Sequence, residues 1–220
     1  MSQQRKTRTK STERFTARLR QTRAKVAAEA ARIIATEGQH NYHVAKTKAA
    51  ERIGVSERLA LPSNIEVKQA LSAYQNLYGG AQHYENLEHL RKTAVRAMQI
   101  LGEFKPRLVG PVLDGTADEH SRVALHVFCD PPDFIVLYFL DNGTPFQQEQ
   151  RQIRWRNGGH KTVPLILFEL DETTIELSVF DLVILRQAPP SPIDGKPQQR
   201  ATLQEVESLL YQDLSTLARP

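Results

Sequence analysis

The hydrophobic period of this chain changes at Gly102. Before it, apolar residues recur every three or four positions; after it, they alternate. Leu87, Leu90, Ala94, Ala97, Met98 and Leu101 share one helical face over Tyr84 to Leu101. Beyond Gly102, Arg107 to Leu113, Arg122 to Phe128 and Phe134 to Leu140 read as strands, and Asn142-Gly143 as a turn. "QQEQRQIRW", residues 147–155, reads as a polar, exposed strand. Val163 to Leu170 and Thr174 to Val183, joined through "DETT", predict a hairpin. Helices followed by a run of strands argue for an α+β fold. The expectation is an N-terminal helical region, then a mixed sheet of about five or six strands with flanking helices.

The helical region divides at its stop signals. Val26, Ala27, Ala30, Ile33 and Ile34 form one face of a helix over Ala24 to Glu37, closed by Gly38. A second helix covers Val44 to Ile53 and ends at Gly54. "AAEAARIIATEG" and "KAAERIGVS" resemble the opening helices of a tetracycline-repressor-type helix-turn-helix. However, Pro62 interrupts any recognition helix begun at Ser56. A small bundle is therefore expected, with Lys46, Lys48 and Arg52 on a solvated face. A third helix starts at a capping box, Ser63 and Glu66, and runs to Gly79-Gly80. Its apolar stripe is read as Ile65, Ala70, Leu71, Tyr74 and Leu77.

Charge is distributed unevenly. Residues 1–25 carry nine Lys/Arg and one acid, Glu13, whereas the rest of the chain carries twenty Lys/Arg and twenty-four acids. The first dozen residues lack apolar periodicity and read as part of a disordered basic arm over 1–23. The expected layout continues with a helical region over 24–82 and an α+β domain over 83–187. A Pro-rich linker, "APPSPIDGKPQQ", and a helix over Ala201 to Leu217 complete 188–220. The longest uninterrupted apolar run, Phe134 to Leu140, is too short to span a bilayer, so no membrane association is expected. A single cysteine, Cys129, excludes an internal disulfide, suits a reducing cytoplasmic setting, and reads as a buried structural thiol.

Motifs exclude several chemistries. There is no G-x-x-x-x-G-K-[ST] loop, no G-x-S-x-G, no H-E-x-x-H and no paired C-x-x-C. Trp155 between Arg154 and Arg156 reads as structural stacking on an exposed hairpin rather than a base platform.

One stretch carries a site-like layout: "GPVLDGTADEHSRVALHVFCD", residues 110–130. A helix and a strand lead into a glycine turn, and a second strand follows. This order resembles the nucleotidyltransferase superfamily of the DNA polymerase beta type, over roughly residues 84–185. In that family the glycine turn is followed by an acid-x-acid pair on the next strand, and a later strand adds a third acid. The three carboxylates hold two divalent metals, which bind the attacking and leaving oxygens. By resemblance, the glycine falls on Gly110, the serine on Pro111, the acid pair on Arg122 and Ala124, and the third acid on Glu176. An arginine about 4 Å from a dication costs several kcal/mol even at an effective dielectric of about 20. The resemblance therefore implies a degenerate member, with Glu176 as the remaining catalytic candidate and no metal ligands.

The ligand-binding candidates implied are Gly110, Gly115, Thr116, Ser121, Arg122 and His126. No cofactor is expected; magnesium would be needed only by an active enzyme with a rearranged acid set. Asp114, Asp118, Glu119, Asp130 and Asp133 are the nearby acids. A nucleotide, RNA or DNA is the expected partner, through residues 1–25 and a cleft over 110–126. A module driven by the basic arm alone is the further alternative.

Overall fold

A computed structural model describes residues 2–39, 41–55, 60–155 and 158–217, with side chains only between 14 and 211 of these. The fold is α+β, with N-terminal helices followed by a five-stranded mixed sheet. It divides into two compact units, Met1–Gly80 and Ala81–Pro220.

The first unit is helical: α1 (Ser2–Glu37), α2 (Tyr42–Ile53) and α3 (Asn64–Tyr78). Val26, Ala27, Ala30, Ile33 and Ile34 of α1 are buried against Ala45, Ala49 and Ala50 of α2 and Val67 and Leu71 of α3. The alanines on α2 allow close approach of the two helices. Asn41 caps α2 by accepting from His43 N and Val44 N, and Gly54 closes it in the left-handed conformation. The capping box of α3 forms as expected between Ser63 and Glu66. Its apolar stripe is rotated from the expected one. Val67, Leu71 and Gln75 are buried, whereas Ile65 and Leu77 face solvent. Spacing of four along the helix, not apolarity alone, selects the packed face.

One further reading of this unit needs revision. The stretch 1–23 was expected to be a disordered arm, but α1 is helical from Ser2. Arg, Lys and Gln are good helix formers, and extending an existing helix requires no new nucleation. Lys48 and Arg52 are exposed, as expected of a solvated face, and Lys46 is half-buried; all three make polar contacts. Arg52 pairs with Glu37 at 2.8 Å and Glu29 at 3.3 Å, Lys48 pairs with Glu37, and Lys46 donates to Asn64 at 2.7 Å. Residues 56–59, where a recognition helix would begin, lie outside the described residues.

The second unit opens with α4 (Gly80–Ile100) and continues β1 (Arg107–Val109), α5 (Pro111–Asp114), β2 (Val123–Phe128) and α6 (Phe134–Asp141). Strands β3 (Gln147–Arg154), β4 (His160–Leu170) and β5 (Thr173–Phe180) follow, and α7 (Leu203–Leu217) closes it. The sheet order is β1-β2-β5-β4-β3. Only β2 and β5 pair in parallel; the other neighbours are antiparallel. The expected hairpin forms between β4 and β5, turning on Asp171 and Glu172, both at positive φ.

The two sheet faces differ chemically. Val123, Leu125 and Val127, with Ile175, Leu177 and Val179, pack against the apolar face of α4 and form the main core with Ile135 and Phe139 of α6. The opposite face carries Ala124, His126 and Phe128 on β2 beside Glu176, Ser178 and Phe180 on β5. Its lower part is closed by Phe128, Phe180, Val163 and Ile184, with Trp155 half-buried against them.

Two expected strands are shorter or absent. The strand Arg107 to Leu113 stops at Val109, because Gly110 turns the chain and Pro111 begins α5. Phe134 to Leu140 is not a strand but α6. Ile135 and Phe139, four apart, are buried while Phe134, Leu137 and Leu140 are exposed, which is a helical seam. A run that is apolar throughout carries no period to read.

No helix among the described residues is long and apolar enough to cross a membrane. Cys129 is buried, with its thiol directed to Pro132 O at 3.6 Å, and burial raises its pKa.

Candidate functional site

Gly110 ends β1 at φ 75° and ψ −155°, a conformation essentially restricted to glycine. A Cβ there would meet Ala124 Cβ at 3.9 Å, an ordinary contact. Backbone geometry, not lack of space, therefore explains this glycine. The turn continues into α5, whose far end is held by a residue that sequence reasoning did not single out. Arg91 of α4 is buried and donates to Val112 O at 3.1 Å and Leu113 O at 3.4 Å. It neutralises carbonyls left without partners at a helix end.

Gly115 closes α5 in the left-handed conformation and faces α4, with Arg91 and Leu87 as its nearest neighbours. His83 bonds the Gly115 backbone, yet burial holds its imidazole below the ordinary value. Thr116 is buried, and its N–H bonds Pro111 O at 2.9 Å. Ser121 donates to Asp118 Oδ1 at 2.7 Å and accepts from Asp118 N at 2.9 Å, while His120 N also bonds Asp118. Gly115, Thr116 and Ser121 thus shape the loop that leads into β2.

Register brings the other candidates together. Val109 is opposite Ala124, and Ala124 is opposite Glu176; Arg107 is opposite His126, and His126 is opposite Ser178. Arg122 and Glu176 therefore approach each other beside Ala124, with Gly110 against the same alanine, while His126 lies two residues farther along β2, opposite Ser178 and against Phe180.

Glu176 is the centre of the group, with only 9% of its side chain exposed. Arg151 of β3 grips both its oxygens, at 2.7 and 2.8 Å. Because β4 lies between β3 and β5, this guanidinium reaches across a strand, over the row of Leu165 and Leu167. Arg122 Nη1 stands 3.6 Å from Glu176 Oε2 on the other side. The carboxylate is thus flanked by two guanidinium groups, each about half exposed.

His126 is almost completely buried, and its Nδ1 has no hydrogen-bond partner. Its ring meets Phe180 edge-on at 4.8 Å. Burial, followed by the charges of Arg200 and Arg151, pushes its pKa down to about 3, so the imidazole is neutral at physiological pH. Arg200 covers the neighbouring Phe128 ring at 5.5 Å and donates to Ile184 O and Leu185 O.

Among the described residues, no three His, Cys, Asp or Glu side chains form a metal-binding group. The residues at this site do not fit the metal pair implied by the family resemblance. Ala124 has no ligand atom, Arg122 repels a dication, and Glu176 is paired with Arg151.

Arg151 was missed at the sequence level because "QQEQRQIRW" reads as a solvated edge. The available signal was its alternation, which puts Glu149, Arg151 and Ile153 on one face. Trp155 carries Lys161 over its ring at 5.7 Å, and Lys161 pairs with Asp181 at 3.0 Å. Arg156, the other half of the expected cationic patch, lies outside the described residues. No protein-family model matches this chain, and no curated protein is significantly similar to it.

Proposed function

We propose that this chain is a nucleotidyltransferase-like protein that has lost the metal-dependent transfer reaction and binds nucleotide or nucleic-acid phosphate as a binding or regulatory protein. The observation that carries this reading is the pair of arginines, Arg122 and Arg151, around Glu176. The resemblance assigns dication ligands to the Arg122 and Ala124 positions, and a cation-lined site suits an anion instead. Guanidinium groups hold phosphate through planar, charge-assisted hydrogen bonds without a metal. The glycine turn at Gly110 lies against Ala124, beside the same group, and the neutral His126 is buried two residues farther along β2.

Calorimetric titration with ATP tests the reading. Binding is expected both with and without magnesium, and Arg122→Ala should weaken it about tenfold, the effect of losing a charged hydrogen bond. No turnover of labelled nucleoside triphosphate is expected. Absence of binding under both conditions would overturn the proposal, and turnover abolished by Glu176→Ala would replace it with an active enzyme. The excess of basic residues in 1–25 favours a second reading, nucleic-acid binding by that segment. Salt-sensitive RNA or DNA binding lost on deleting 1–25, with ATP binding unchanged, would identify it.

A further inference from the structure

Glu176 is held the way a guanidinium site holds a bound anion. Arg151 forks onto both carboxylate oxygens at 2.7 and 2.8 Å, the arrangement such a group also makes with phosphate. Arg122 is oriented toward the same carboxylate but stands at 3.6 Å, beyond hydrogen-bond length. Two positive groups therefore face one negative group. The exposures are reversed between them: 51% for Arg122 and 49% for Arg151, against 9% for Glu176. Solvent reaches the donors more readily than it reaches the acceptor.

A second observation points to a missing ligand. His126 shares this sheet face, two residues along β2 from Ala124, and its buried Nδ1 is unpartnered. Buried polar atoms are normally satisfied, so one left open beside a charged cluster calls for an explanation. Ala124, with only a methyl group, separates His126 from the Arg122 end of the strand. The other acids on this face, Glu149 of β3 and Glu169 of β4, are exposed, and Glu169 accepts from Thr174 at 2.7 Å.

We propose that Arg122 and Arg151 form a metal-independent phosphate site in which Glu176 is an internal competitor, displaced from the guanidinium donors when a phosphate-bearing ligand binds. This rests on the phosphate-binding reading above and adds a specific role for Glu176. That role is opposite to the one a catalytic carboxylate would have. Removing the charge of Glu176 should strengthen binding, because the donors no longer have to be taken from an anion already in place. His126 Nδ1 is the additional polar group that the ligand satisfies at the floor of the site.

The test is calorimetry without magnesium, at fixed ionic strength, on the full chain. The probes are pyrophosphate, ATP and a short single-stranded oligonucleotide. E176Q is expected to bind about tenfold more tightly than the wild type, in line with one charged hydrogen-bonded contact released. Arg122→Ala and Arg151→Gln are each expected to weaken binding about tenfold or more in either background. A gain on pyrophosphate and ATP alone marks a free nucleotide as the source of the phosphate; a gain on the oligonucleotide marks a nucleic-acid backbone. If the wild type binds and E176Q binds equally or more weakly, the competitor role is overturned while phosphate binding stands. If neither protein binds any probe, both proposals fail. Should E176Q lose its thermal transition, E176D serves in its place. It keeps the charge but shortens the reach toward Arg151, and a smaller gain is expected; no gain overturns the role.

Discussion

Burial and the charges of Arg200 and Arg151 give His126 a pH signature of its own. Its imidazole is pushed down to about 3 in the folded chain, from an ordinary value of 6.5. Between those values the unfolded chain takes up a proton that the folded chain refuses. This contribution to stability is whole above about pH 6.5 and is lost as pH falls toward 3, by at most about 1.4 kcal/mol per pH unit. His126→Phe should flatten this part of the profile. Urea unfolding midpoints at several pH values between 7.5 and 4, for both proteins, measure the difference. A profile unchanged by the substitution would mean that the native ring takes up its proton normally. The other acid-sensitive groups, such as Glu29 and Glu37 held low by Arg32 and Lys48, are common to both proteins and cancel.

At the scale of elements, Gly110 controls how β1 hands over to α5. Its φ of 75° and ψ of −155° are strained for any residue with a Cβ, although the nearest atom to that Cβ would be 3.9 Å away. Gly110→Ala is therefore expected to cost about 1–3 kcal/mol through the backbone alone. A lower thermal midpoint with unchanged far-ultraviolet dichroism is the predicted result. Much of the element order was legible because period reports environment: the six residues that the helical spacing picks out are buried, five on α4 and Leu101 just past its end, and the β4–β5 hairpin lies where its turn predicts. Phe134–Asp141 was illegible because all of its first seven residues are apolar, so helix and strand look alike until Ile135 and Phe139 find the core. The site divides in the same way. Gly110 reads as a turn and Glu176 as a strand residue from local pattern, as the structure has them, whereas Arg151 acts through a side chain that crosses an intervening strand. No local pattern encodes that reach; it follows from sheet order and register.

For the whole molecule, the partition of apolar residues predicts partial independence. The core around β2 and β5 draws its buried members from Leu87 to Val206, and the helical core draws its own from Val26 to Leu71. A fragment spanning 81–220 is expected to fold alone, with a cooperative thermal transition and the near-ultraviolet signal of Trp155 retained. A noncooperative melt would show that this core needs the helical unit. The sheet has two outer strands, protected differently. β3 is lined with Gln, Glu and Arg, residues that discourage pairing with another copy. β1 is sealed by the chain itself, since Leu108 and Ala201 exchange both backbone hydrogen bonds at 2.9 Å. Proteolytic loss of the tail from Ala201 onward would therefore do more than remove a helix. It would uncover a short, apolar strand edge and turn a closed sheet into a template for self-association.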